Sequence, residues 1–312
     1  MSEADFIVAP RWIIPVEPTE VILEDHAVVV SSGHLTALLP QDQARQQFPM
    51  TPWLDRPNHV LCPGLINTHT HAAMSLLRGC ADDLPLDVWL TEHIWPLEGR
   101  WANREFVRDG ADLAILEMIR GGTTCFQDMY MFPDEVAAVA AEHGLRACVS
   151  IIVIEAPTAW ANDAAEYIER GLAVHDRYRD HPLILTSFGP HAPYTVSDDS
   201  LKQILTLANQ LDLPVHMHVH ETATEVEQAV KETGQRPLAR LHEYGAQSPL
   251  LNAVHMTQLE PAEIELLAAT GAHVIHCPES NLKLASGVCP VSELLAAGVN
   301  VALGTDGAAS NN

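Results

Sequence analysis

The 312-residue chain carries 41 acidic against 17 basic residues, a formal charge of −24, with 47% hydrophobic and 19% charged residues. This is a globular composition, long enough for one large barrel with a small appendage or for two ordinary domains, and so acidic a surface repels nucleic-acid phosphates and anionic membranes. The acidic start lacks a secretory pattern, no apolar run approaches the length of a bilayer span, and the six cysteines lack CxxC spacing, which reads as reduced thiols of a cytoplasmic protein.

The first 57 residues read as short strands, Phe6–Val8, Trp12–Val16, Val28–Val30 and Leu35–Leu39, broken by Pro, Gly and Ser. They predict a small β-sandwich-like domain over 1–57. From 58 to 312 the pattern changes to alternation. Apolar strand candidates are Val60–Asn67, Thr123–Asp128, Arg146–Ile154, Leu183–Phe188, Pro214–His218, Leu250–His255, His273–Cys277 and Val299–Gly304. Helix candidates lie between them, with apolar faces at helical spacing such as Phe106, Leu113, Leu116 and Ile119. Several end at glycine, among them Gly121, Gly144, Gly234 and Gly271, and Ser197 is a natural N-cap.

Eight strands separated by helices predict an α/β fold, a (β/α)8 TIM-type barrel. An open doubly wound sheet is the runner-up, weakened because no Gly-rich phosphate fingerprint follows an early strand. The eighth strand ends almost at the C-terminus, so the final barrel helix and the completion of the β-domain are expected to be missing from this chain. Apolar surface meant for that helix would then be exposed.

Active sites of such barrels sit at the C-terminal ends of the strands. Strand 1 ends in Asn67-Thr-His69-Thr-His71, strand 4 runs into His191-Ala-Pro-Tyr194, and strand 5 holds His216, His218, His220 and Glu221. Strand 6 ends at His255 and strand 8 at Asp306. Residues two apart on a strand share a face, so His69 and His71 can offer two imidazoles to one ion. Zinc favours nitrogen donors with a carboxylate and keeps a position open for water in catalytic sites. Strand 5 supplies a third histidine and strand 8 the aspartate.

Each piece has an ordinary explanation alone. An HxH pair is a weak motif, Asp306 before Gly307 could be a turn residue, His255 a satisfied core histidine, and Glu221 a first-turn helix acid. Their coincidence at strand ends is what favours a metal site. Alternation leaves His218 and His220 both open as the strand-5 ligand. No lysine falls at the end of strand 3 or 4 to bridge a second ion, which favours a single metal.

These segments resemble the amidohydrolase superfamily in its mononuclear zinc deaminase branch. Trp89-Leu-Thr-Glu-His-Ile-Trp95-Pro-Leu-Glu98 and Phe188-Gly-Pro-His191-Ala-Pro-Tyr194 are similar to its 5-methylthioadenosine/S-adenosylhomocysteine deaminases. The resemblance implies one Zn2+ per subunit on His69, His71, His218 and Asp306, and so places the strand-5 ligand on His218. It implies Glu221, His255 and Asp306 as catalytic residues. Substrate contacts carry over to Glu98 (the ribose hydroxyls), His191, Glu221 and Asp306, and Trp89 and Ser310 match pocket positions, with core packing and a turn role as their competing explanations. The implied reaction is hydrolytic deamination at C6 of an adenine ring, on a small-molecule nucleoside, with no nucleic-acid or membrane partner and a homo-oligomer left open. A relative acting on guanine, pterins or triazines would share the metal set, whereas a non-catalytic scaffold barrel would be expected to lose ligands or the acid/base.

Overall fold

The computed structural model describes residues 4–311. The chain divides into two compact units, Met1–Gly64 and Leu65–Asn312.

The first unit is a five-stranded sheet. Its strands are β1 (Phe6–Ile13), β2 (Leu23–Glu24), β3 (His26–Ser31), β4 (His34–Pro40) and β5 (Trp53–Leu61), with a short helix at Gln41–Gln47. The two strands expected around Pro10 are one. Antiparallel β3 pairs Phe6–Val8 and antiparallel β2 pairs Trp12–Ile13, so Pro10, which has no N–H to give, falls between the two partners. Parallel β5 shifts register between Pro10 and Trp12, which absorbs the same residue. Ile7, Ala9, Ala27, Val29 and Ala44 form this unit's core.

The second unit is the expected barrel. Its strands are β6 (Leu65–Thr70), β7 (Thr123–Asp128), β8 (Arg146–Val153), β9 (Ile184–Pro190), β10 (Val215–Val219), β11 (Leu251–His255), β12 (His273–His276) and β13 (Val301–Leu303). They pair in sequence order and all in parallel. The strand expected over Val60–Asn67 is two pieces: β5 stops at Leu61, Cys62-Pro-Gly64 breaks the ladder, and β6 starts at Leu65. Phe126, Ile151, Phe188 and Met217 are fully buried in one continuous core.

Helix boundaries follow local chemistry. Asn103, Asp163, Ser197 and Thr222 each cap a helix by accepting the backbone N–H of its third residue. Gly144, Gly234 and Gly271 end helices in the left-handed region, and the helix expected to stop at Gly121 takes Gly122 as its left-handed cap instead.

The first and last strands meet in a seam stitched largely by side chains. Thr68 Oγ1 donates to the Leu303 carbonyl at 2.8 Å, Asn67 Nδ2 donates to Thr305 Oγ1 at 2.8 Å, Thr305 N donates back to Asn67 Oδ1 at 3.0 Å, and Asp306 N donates to the His69 carbonyl at 2.9 Å. A short helix, Ala308–Asn311, follows. Leu65, Ile66 and Leu303 of these two strands are exposed. Among the described residues all six cysteines are free, and no helix is long and apolar enough to cross a membrane.

Candidate metal centre and substrate cavity

The C-terminal ends of the barrel strands bring four donor groups together. His69 and His71 lie at the end of β6, His218 near the end of β10, and Asp306 three residues beyond β13. His69 Nε2 is 3.2 Å from His218 Nε2 and 3.3 Å from Asp306 Oδ1, and His71 Nε2 is 3.2 Å from the same Oδ1. Two trios, His69/His71/Asp306 and His69/His218/His255, each have ligand atoms within 4.8 Å of one another and share His69.

The far side of each imidazole fixes which nitrogen faces this point. His71 Nδ1 donates to the Met129 carbonyl at 2.5 Å and His218 Nδ1 to the His191 carbonyl at 2.8 Å. With the proton committed to Nδ1, Nε2 is the nitrogen that points inward. His69 Nδ1 is 2.8 Å from Nε2 of the buried His216, which can accept from it in the same manner. Burial outweighs the Asp306 contact at His69 and pulls its imidazole down to about 4, so it is neutral and able to ligate. Burial also lowers His218 well below the usual range. At His71 burial loses to the Asp306 contact, and the ring is drawn up to about 9. A cation bound at Nε2 takes the place of that proton, so metal uptake there releases one. Burial opposes the Asp306 charge but loses to its contacts with His69 and His71, and its carboxyl is held well below the usual range. Three inward-facing nitrogens and a carboxylate crowded at this spacing form a donor set that fits a divalent cation, and zinc in particular.

Gly304 is required by this geometry. A Cβ there would lie 2.7 Å from His69 Cβ and 2.9 Å from His69 N, against atoms that cannot yield.

Strand 5 departs from simple alternation. His220 would share a face with His218, but its φ of 53° turns the chain out of the strand. Its ring is buried away from the donor cluster, where Nε2 accepts from Leu238 N at 3.1 Å and Nδ1 lies 3.8 Å from Glu263 Oε2. The same turn carries Glu221 over the cluster. Glu225 holds it there, its carboxylate accepting from His220 N at 3.0 Å and from Glu221 N at 2.7 Å. Two more non-glycine residues with left-handed backbone, His255 (φ 76°) and Asp306 (φ 62°), sit at other strand ends of the site.

His255 Nε2 is 3.6 Å from Glu221 Oε2, and its Nδ1 is hydrogen-bonded to Asn281 Oδ1 at 2.8 Å. Burial pushes the Glu221 carboxyl up, with His255 the main opposing influence. Ser280 Oγ donates to Asp306 Oδ2 at 2.6 Å. Ser280 and Asn281 therefore brace one carboxylate and one imidazole of the site from a single helix, Pro278–Lys283. In the sequence His216 stood only as one of the strand-5 histidines, and no role fell to Tyr130 or to this helix. The signal was its place after strand 7, at the same barrel end as the others.

A cavity of about 360 Å³ opens above the cluster. His71, His218, Asp306, Glu221 and His255 form its floor and Trp89, Glu98, His191 and Ser310 also line it. Trp89 is buried in a turn of π-helix, Trp89–Ile94, with Nε1 donating to the Ala81 carbonyl at 3.3 Å. Glu98 lies one turn further, in Trp95–Trp101, and accepts from Tyr130 OH at 2.6 Å. The neutral His191, its ring drawn down to about 3 by burial, has Nδ1 2.9 Å from Thr195 Oγ1. Ser310 Oγ donates to the Gly307 carbonyl at 3.1 Å and lies 3.2 Å from Ser280 Oγ, so it is bound into the turn as well as facing the cavity.

The amidohydrolase family profile matches residues 60–312. A Teredinibacter turnerae protein named 5-methylthioadenosine/S-adenosylhomocysteine deaminase is 51% identical over 308 residues, 99% of this chain and 70% of its own length. A Methanothermobacter thermautotrophicus 5′-deoxyadenosine deaminase is 47% identical over 266 residues, 83% of this chain and 60% of its own. The solved structure of an adenosine deaminase from Xanthomonas campestris with bound zinc superposes with a TM-score of 0.98 at 54% identity, covering 100% of this chain and 71% of that one. With the barrel, the clustered donors and these relatives in agreement, the chain belongs to the amidohydrolase family.

Proposed function

We propose that this chain is a zinc-dependent aminohydrolase that deaminates the adenine ring of 5-methylthioadenosine and S-adenosylhomocysteine, with adenosine in the same substrate class, giving the inosine analogue and ammonia. The observation that carries this reading is the placement of Glu221 and His255 over the His69/His71/His218/Asp306 cluster, in one cavity with Glu98. The names of the relatives supply the substrate class.

His69, His71, His218 and Asp306 would hold the ion. Zinc bound there makes hydroxide available at neutral pH by lowering the pKa of water. The protein's own groups do the rest. Glu221, a carboxyl whose proton affinity burial has raised, carries a proton to ring N1 and so quenches the charge that develops as C6 becomes tetrahedral. His255, held by Asn281, offers Nε2 toward the oxygen arriving at C6. Asp306 takes the proton that remains on that oxygen. That proton passes to the amino group, the C6–N bond breaks, ammonia leaves, and the product keeps the N1 proton and a C6 carbonyl. Glu98 binds the ribose hydroxyls, and His191 and Trp89 complete the wall around the base.

An ammonia-release screen of zinc-loaded protein over adenosine, 5-methylthioadenosine, S-adenosylhomocysteine, guanine and triazines tests this. Release from the adenine nucleosides and little from guanine or triazines is expected. Preferential turnover of guanine or a triazine would move the assignment to another branch of the family, and no release from any of them would favour a non-catalytic scaffold.

A further inference from the structure

The nucleoside reading rests its sugar recognition on Glu98, yet that side chain has little to hold it. Among the described residues its carboxylate takes one hydrogen bond, from Tyr130 OH to Oε1 at 2.6 Å. Among the described residues no arginine or lysine lines the cavity to pair with it. A carboxylate on a short helix, with several rotatable bonds and a single hydrogen bond, presents its oxygens in many directions unless something fixes them.

Tyr130 is well placed to do so. It is 4% exposed and follows β7 by two residues, so the barrel wall sets its position. Its ring centroid is 6.3 Å from that of His71, one of the donor histidines, while its hydroxyl reaches Glu98. One rigid side chain thus spans from the metal end of the cavity to the sugar end. Its bond also opposes the effect of burial, which pushes the Glu98 carboxyl up, and so favours the ionised acceptor form.

We propose that Tyr130 is the positioning residue for ribose recognition: by donating its hydroxyl proton to Glu98 Oε1 it locks the carboxylate, leaving Oε2 to accept from the sugar hydroxyls. This rests on the reading of Glu98 as the ribose ligand. It assigns diol selectivity to a pair of residues from two different barrel segments, of which Tyr130 itself need not touch the sugar.

The test compares adenosine with 2′,3′-dideoxyadenosine, which lacks the diol, in zinc-loaded wild type, Tyr130→Phe, Glu98→Gln and the double variant. Phe keeps the ring and removes one oxygen. A charge-assisted hydrogen bond of this kind is worth a factor of about ten or more. The adenosine-to-dideoxyadenosine ratio of kcat/KM should fall about tenfold in Tyr130→Phe, mainly through KM for adenosine, with zinc content unchanged. The ratio in the double variant should match that in Glu98→Gln, because Tyr130 acts through Glu98. If Tyr130→Phe lowers both substrates equally while Glu98→Gln still collapses the ratio, Glu98 reads the diol and Tyr130 does not position it. A ratio unchanged in Glu98→Gln overturns the proposal at its premise, by showing that Glu98 is not the ribose ligand.

Discussion

Replacing Glu221 by Gln should lower turnover of adenine nucleosides by a factor of about 10²–10⁴, the usual value of a positioned general acid–base, with zinc content unchanged. The amide has nearly the same shape and can keep the contact with Ser286, whose Oγ is 3.5 Å from Oε1. It cannot deliver a proton to N1 and recover it from the attacking water. The loss should appear in kcat, because the group acts in the transition state more than in ground-state binding. Steady-state kinetics with metal analysis on the same preparation checks this. A variant that loses its zinc, or that retains wild-type kcat, would rule Glu221 out as the proton carrier.

The second large effect separates two neighbouring histidines. His218→Ala should abolish stoichiometric zinc and with it activity, because its Nε2 faces the cluster. His220→Ala should keep zinc but lose stability by about 1–3 kcal/mol, since the Leu238 N–H would be left buried without its acceptor. Metal analysis and thermal denaturation of both variants read the two outcomes. The reverse pattern, zinc lost with His220 and kept with His218, would mean that the wrong imidazole has been chosen.

Much of this site was legible from residue type and spacing. Eight barrel strands, seven of them near their observed bounds, the pairing of His69 with His71, and the arrival of His218, His255 and Asp306 at one barrel end follow from apolar periodicity and the rule that barrel chemistry sits at the C-terminal ends of strands. What spacing could not supply was backbone dihedral angle. Alternation put His216, His218 and His220 on one face, but the left-handed turn at His220 sends its ring into the wall and brings Glu221 inward. Likewise, an apolar stretch from Val60 to Asn67 gave no sign that Pro63-Gly64 would end one sheet and begin another. The supporting contacts were invisible for a different reason. His216 behind His69, Asn281 behind His255 and Tyr130 behind Glu98 act through contacts between residues far apart in the chain. Only the assembled barrel defines those pairs.

With one zinc ion held by this cluster and Glu221 above it, the protein should release ammonia from an adenine nucleoside. The most direct measurement is a zinc titration of chelator-stripped protein with 5-methylthioadenosine as substrate, following ammonia and the change of the adenine chromophore together. Activity absent from the stripped protein, rising in proportion to added zinc and levelling at one ion per chain, is the predicted result. Full turnover by the stripped protein, or a zinc-saturated protein that releases no ammonia from the nucleoside, would contradict it.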